Sequence, residues 1–176
     1  MKTAQQWLAA YAANHRNPTN QRIHKVCVPI ILFSILGIAW HFRIPGAADL
    51  WWANGTLILS LLALTFYWRL GLGPFLTMAA IFAVMMAMVM GLEWGALLPT
   101  LALYCTIFVL AWIGQFVGHK FEGRAPSFLD DLQFLLIGPL WVFYRLASGC
   151  HLELLKNQPT SAPAISSPRF WERSGQ

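Results

Sequence analysis

His15, His24 and His119 stand at the polar ends of otherwise apolar stretches. The first two lie in Tyr11-Ala-Ala-Asn-His15-Arg-Asn-Pro-Thr-Asn-Gln-Arg-Ile-His24, the third in Gln115-Phe-Val-Gly-His119-Lys-Phe-Glu122. Imidazole is the commonest protein ligand for iron, zinc and copper, so three such residues in a charge-poor chain form a candidate metal site. Trp112, Gln115, His119 and Glu122 follow a three-four-three spacing that puts them on one helical face. A His and a Glu three apart can both ligate a metal, as Glu-x-x-His pairs do in carboxylate-bridged iron bundles with the opposite order. The plainer alternative is that Gln115 and His119 hydrogen-bond between helices while Glu122 is solvated. For His15 and His24 the plainer alternative is two interfacial histidines in a basic segment. Asn14, Asn17 and Asn20 lie close enough in sequence to hold the second nitrogen of an imidazole and so fix its tautomer. Arg124 is the nearest fixed positive charge to His119; it could grip a carboxylate in bidentate fashion or rest in a phosphate layer.

The elements that must position these residues are membrane helices. Of 176 residues, 57% are hydrophobic and 11% charged, far more apolar than a soluble domain of this size requires. Leu50 to Trp68, Leu70 to Leu92 and Trp94 to Gly118 contain no Asp, Glu, Lys or Arg, and each meets the roughly 20 residues that cross about 30 Å of hydrocarbon, so each reads as a transmembrane helix. Val26 to Trp40 and Leu132 to Tyr144 are shorter, each readable as a tilted span, a half-span or an interfacial helix. Ala4, Trp7, Leu8 and Tyr11 recur at helical spacing, predicting an amphipathic helix along the membrane surface. Asn17 followed by Pro18 is an N-cap and first-turn proline that begins the next helix, with a kink expected at Pro29. The predicted fold is an all-α integral membrane bundle of four to five membrane segments with an N-terminal interfacial helix. Residues 1–155 form its single domain and residues 156–176, rich in Pro and Ser, a flexible tail.

Topology sorts the histidines. Met1-Lys2-Thr3 leads into no apolar signal core, so the amino terminus reads as part of the mature protein. Lys2, Arg16, Arg22 and Lys25 place that terminus on the cytoplasmic side, in a bacterial inner membrane or one of ER type. Counting spans puts His15, His24 and His119 together near that face. His41 lies seventeen positions beyond His24, about 25 Å along a continuous helix, and cannot share their ion. His151, beside Glu153, reads as solvated, and Ser127 with Asp130 as a capping box for the last helix. Cys27, Cys105 and Cys150 form no Cys-x-x-Cys pair and read as buried or lipid-facing thiols. The net charge of +5 is not interleaved with aromatics in the manner of a nucleic-acid surface.

The chain resembles the membrane-bound 2-hydroxy-fatty-acid dioxygenases of iron-dependent alpha-oxidation. The resemblance rests on Tyr11, His15, Asn17-Pro18, Asn20, His24 and Val28-Pro29, and later on Gln115-Phe116, Gly118-His119, Phe121-Glu122, Arg124, Pro126 and Asp130. It covers most of the chain up to about Leu146. It departs at Ser127, where the family commonly has Ala, and at Asp131, where Asn is frequent; His41 corresponds only loosely to a family histidine. The resemblance implies that His15, His24 and His119 hold Fe(2+), with Glu122 a fourth ligand or a partner behind the ligands. The implied substrates are O2 and a long-chain 2-hydroxy fatty acid, converted to an acid one carbon shorter; in fungi this serves phytosphingosine breakdown. On that reading the substrate chelates iron through carboxylate and hydroxyl, and Tyr11, Asn20, Gln115 and Arg124 face it. The acyl chain then lies between apolar helices within the bilayer.

Three rivals stand beside this reading. Di-iron desaturases use many more histidines, in paired boxes, than the five present here. A bis-histidine haem bundle needs two histidines at matched depth on facing helices. A non-enzymatic lipid-binding or scaffold protein would use the clustered polar residues as packing contacts only.

Overall fold

The computed structural model describes residues 2–47, 49–95, 99–123 and 133–147. Arg124, Pro126, Ser127, Asp130, Asp131, Cys150, His151 and the 156–176 tail lie outside the described residues. Residues Met1–Leu146 make one compact unit. Among the described residues there are six helices, no strand, and an isolated bridge between Arg43 and Asn54.

Helix α1 (Ala4–Ala13) begins with a reciprocal capping box, Gln6 N donating to Thr3 Oγ1 and Thr3 N to Gln6 Oε1. Helix α2 (Pro18–Trp40) starts where the Asn17-Pro18 pair predicts. Asn17 Oδ1 accepts from the N–H groups of Thr19 and Asn20. The helix runs through Pro29 as one element. Helix α3 (Gly55–Leu70) is capped by Asn54, α4 spans Leu72–Gly95, and α5 (Thr100–Glu122) stops at Gly123, whose φ of 70° suits glycine. Helix α6 spans Phe134–Ala147.

Among the described residues, helices α2, α4 and α5 are long and apolar enough to cross a membrane, which makes three such helices where four to five segments were expected. The difference lies in the apolar helices α3 and α6, which have only 16 and 14 residues. The short run beginning at Val26 is the inner part of a 23-residue helix that starts at Pro18 and includes the polar first turns. The run from Leu50 loses its first residues to the 43–54 turn, because Asn54 caps the chain there, leaving α3 with 16 residues. At 1.5 Å per residue that is about 24 Å. Leu61, Leu62, Val84, Leu110 and Phe116 are exposed on the helix exteriors, as residues facing hydrocarbon would be.

Helix α1 does more than float at an interface. Its apolar stripe packs on α6, Trp7 meeting Phe134 and Tyr11 meeting Trp141 at 5.4 Å between ring centroids. Tyr67, fully buried in α3, donates its hydroxyl hydrogen to Leu136 O at 2.8 Å and so joins α3 to α6. The most extensive helix pairing is between α2 and α5. Gly114 and Gly118 make it possible: a Cβ at Gly118 would lie 2.6 Å from Asn20 Oδ1, and one at Gly114 2.7 Å from Cys27 Sγ. This small-x-x-x-small spacing lets two membrane helices approach closely. Gly118→Val should therefore lower stability by about 1–3 kcal/mol, the usual cost of overpacking. Gly91→Ala, at an open position, should not. Thermal unfolding of both variants in detergent checks this, and equal melting would refute the close seam.

Candidate metal centre

Each histidine of the trio comes from a different element. His15 follows α1, His24 lies on the second turn of α2, and His119 on the last turn of α5. Because α5 runs antiparallel to α2, its end meets the start of α2, and the three imidazoles converge. Ring centroids are 4.6 Å apart for His15 and His24, 5.2 Å for His15 and His119, and 4.9 Å for His24 and His119. One potential ligand atom from each lies within 4.8 Å of the others. All three are buried, with 1%, 2% and 6% of their surfaces exposed for His15, His24 and His119 respectively.

Hydrogen bonds fix two tautomers. His15 Nδ1 lies 2.8 Å from Tyr11 O, and His24 Nδ1 3.0 Å from Asn20 O. A carbonyl only accepts, so both Nδ1 atoms carry the proton and both Nε2 atoms keep a lone pair. The Asn side chains were expected in this role; the backbone carbonyls one helical turn back perform it instead. Tyr11 also stacks on His15 at 4.0 Å and 13°. Burial holds the His15 imidazole below its usual pKa, against the opposing effects of the Tyr11 carbonyl and the Glu122 charge. It is thus neutral at pH 7, the state that ligates metals.

The residues present fit a metal ion. His15 Nε2 and His119 Nδ1 are buried without a hydrogen-bond partner, and an unsatisfied buried polar atom costs about 1–3 kcal/mol. A cation at the trio would give the lone pair of His15 Nε2 its missing partner. The rings stand nearly edge to face, at 69°, 69° and 79°, directing their nitrogens toward a common point rather than stacking them.

Glu122 faces elsewhere. Its Oε1 accepts from Arg16 N at 2.7 Å, and its Oε2 from Asn17 N at 3.0 Å and Asn20 Nδ2 at 2.9 Å. The carboxylate thereby joins the end of α5 to the start of α2, where exposed N–H groups and the helix dipole favour negative charge. It is absent from the group of converging ligand atoms. Asn17 Nδ2 reinforces the joint by donating to Phe121 O at 3.0 Å. Gln21 Nε2 donates to His15 O at 2.7 Å and holds the intervening turn. Gln21 was not anticipated, since a polar residue on the first turn of a helix carries no signal of what lies six positions earlier. Trp141, 6.0 Å from His15 between ring centroids, was missed for a similar reason: it sits in an apolar run that announces only a helix.

The trio lines one end of a cavity of about 250 Å³. Tyr11, Gln115 and Trp112 line it too, and Ile31, Leu36, Ala63 and Phe82 are among the apolar walls that continue between α2, α3 and α4. Of the four residues expected to face substrate, Tyr11 and Gln115 line this space. Asn20 is instead fully buried between α2 and α5, and Arg124 lies outside the described residues. His41 is far from the trio, as its place in the sequence predicts. It caps the opposite end of α2, 3.4 Å from Glu93 Oε1 and 3.3 Å from Thr100 Oγ1.

A family model described as "2-hydroxy-palmitic acid dioxygenase Mpo1-like" matches residues 1–149. The chain is similar to the 2-hydroxy-palmitic acid dioxygenase MPO1 of Saccharomyces cerevisiae, with 32% identity over 140 residues, covering 78% of this chain and 76% of the yeast protein. No solved structure matches it. With the match running through both histidine blocks and all the helices between them, the chain belongs to the Mpo1-like family.

Proposed function

We propose that this protein is an iron-dependent dioxygenase that shortens long-chain 2-hydroxy fatty acids by one carbon, with His15, His24 and His119 as the ligands of Fe(2+). The observation that carries the proposal is the convergence of three buried imidazoles in the lining of an apolar cavity. A three-histidine set leaves coordination positions open, and the carboxylate and hydroxyl of a 2-hydroxy acid are oxygen donors suited to them. Bound iron would supply the redox chemistry that lets dioxygen react with the substrate.

The protein's own residues supply the rest. The carbonyls of Tyr11 and Asn20 hold the imidazoles in the tautomer with Nε2 free. Glu122, in this reading a brace rather than a ligand, keeps His119 in register with His24. The apolar walls accept the acyl chain and exclude water, while the end lined by the histidines receives the head group. The reaction balances as R–CHOH–COOH + O2 giving R–COOH, CO2 and H2O. The bond between the first two carbons breaks, and four electrons pass from the substrate to dioxygen, so no external reductant is consumed.

The ring spacing also separates this reading from a bis-histidine haem. Two imidazoles on opposite sides of one metal, at about 2.0–2.1 Å per metal–nitrogen bond and about 1.2 Å from nitrogen to ring centre, would hold their centroids roughly 6.4 Å apart. The observed spacings of 4.6 to 5.2 Å suit ligands side by side.

Three outcomes are expected. His119→Ala should abolish stoichiometric iron binding and product formation; full activity in that variant would sink the assignment. Glu122→Gln should weaken metal affinity by about 10–100-fold, as loss of a supporting partner does, while leaving the ligand-field spectrum of the Co(II)-substituted protein unaltered. A changed spectrum would make Glu122 a ligand. Purified, iron-loaded protein given a 2-hydroxy fatty acid should consume one O2 per CO2 released with no added reductant; a stoichiometric need for reductant would point to hydroxylation instead.

A further inference from the structure

The cavity behind the histidines shares part of its wall with a second space. A second, wholly apolar groove is lined by Ile38, Ala39, Phe42, Gly55, Ile58 and Phe108, together with Ile35 and Leu59. Ile35 and Leu59 line the first cavity as well. This pair therefore stands between the two spaces, where α2 and α3 face each other. Beyond it the groove reaches the exterior of the bundle, since Ile58 and Phe42 are exposed at 44% and 68%. Leu59 is itself 42% exposed and so is not locked in the core.

Depth along α2 gives the scale. From His24 to Ile35 is eleven residues, about 16 Å at 1.5 Å per residue. An extended chain advances roughly 1.2 Å per bond, taking a residue's three bonds to span its full reach, so this depth holds about 14 bonds. That is the length of a palmitic tail measured from the carbon bearing the hydroxyl. From Ile35 to Phe42, seven residues further, the groove adds about 10 Å, or roughly eight more bonds.

We infer that Ile35 and Leu59 form a partition that sets chain-length selection: palmitic-length acids end against it, and longer acids pass it to lay their tails in the outer groove between α2, α3 and α5. The occupant of the groove is the distal acyl chain of the substrate itself, because the groove shares the Ile35 and Leu59 wall with the cavity and carries no polar atom to recognise anything else. The inference rests on the 2-hydroxy-acid reading for the anchor that fixes the head at the histidines.

The test compares the intact, iron-loaded chain with Leu59→Trp and Leu59→Ala, using 2-hydroxy acids of palmitic length and of about 24 carbons. Leu59→Trp should lower the long-to-short ratio of kcat/KM by about tenfold or more, and Leu59→Ala should raise it. Ratios that stay constant in both variants overturn the inference. A second readout does not need turnover: each acid carries a diazirine at its last carbon and is photo-crosslinked to the wild-type chain. The palmitic-length probe should label the region of Ile35, Leu36 and Leu59, and the longer one Ala39, Ile58 or Phe108. Labels that do not move with chain length overturn the inference. Length-dependent labelling without turnover of either acid would uphold the partition and refute the dioxygenase reading.

Discussion

The joint between the end of α5 and the start of α2 is the constraint on which the rest depends. Its centre is the Glu122 carboxylate, held by two backbone N–H groups and one side-chain amide of the segment from Arg16 to Asn20. The same few residues do several things at once. Asn17 caps α2 and reaches Phe121, while Asn20 binds Glu122 with its side chain and His24 with its carbonyl. A negative charge at a helix N-terminus is favourable on its own account. Here it also means that any movement of α5 along α2 must break hydrogen bonds to a charged group. The histidines inherit that rigidity, because His24 and His119 lie within one turn of the joint.

Close approach of the helices is the second requirement, and glycine meets it. With Gly118 facing Asn20 and Gly114 facing Cys27, the two backbones come near enough for a carboxylate on one to reach the amides of the other. Helix α1 and α6 then complete the enclosure from the other side: Tyr11 and Trp141 pack on His15, and a Cβ at Gly138 would lie 3.0 Å from the Tyr11 hydroxyl. The centre is thus assembled from the chain's beginning, its first long helix, its last long helix and the helix after that. None of these segments holds more than one of the three histidines.

Much of this was legible in the sequence for physical reasons. Histidines stand out in an apolar chain, and seventeen helical residues, about 25 Å, separate His41 from His24 and send it to the other end of α2. The start of α2 was legible because Asn-Pro fixes a cap and a first turn. The role of Glu122 was not, since spacing shows which residues share a face but not what that face meets. A carboxylate three residues from a histidine looks the same whether it points to an ion or to a neighbouring helix terminus. The span count erred for a related reason: hydropathy marks where a chain is apolar, whereas helix ends are set by caps such as Asn17 and Asn54. The Gly114 and Gly118 pair was present in the sequence, yet its meaning needs the partner helix to be known.

At its far end α5 holds α2 a second time, through Thr100 and His41, with Glu93 of α4 alongside. Two fastenings on the same pair of helices, one at each end, fix more than distance. Adding or removing a single residue between Thr100 and Glu122 would turn one end of α5 by about 100° relative to the other, given 3.6 residues per turn. One fastening would then have to fail. The number of residues in this stretch is therefore a fixed gauge, and changes of length can accumulate in the connections between helices but not here.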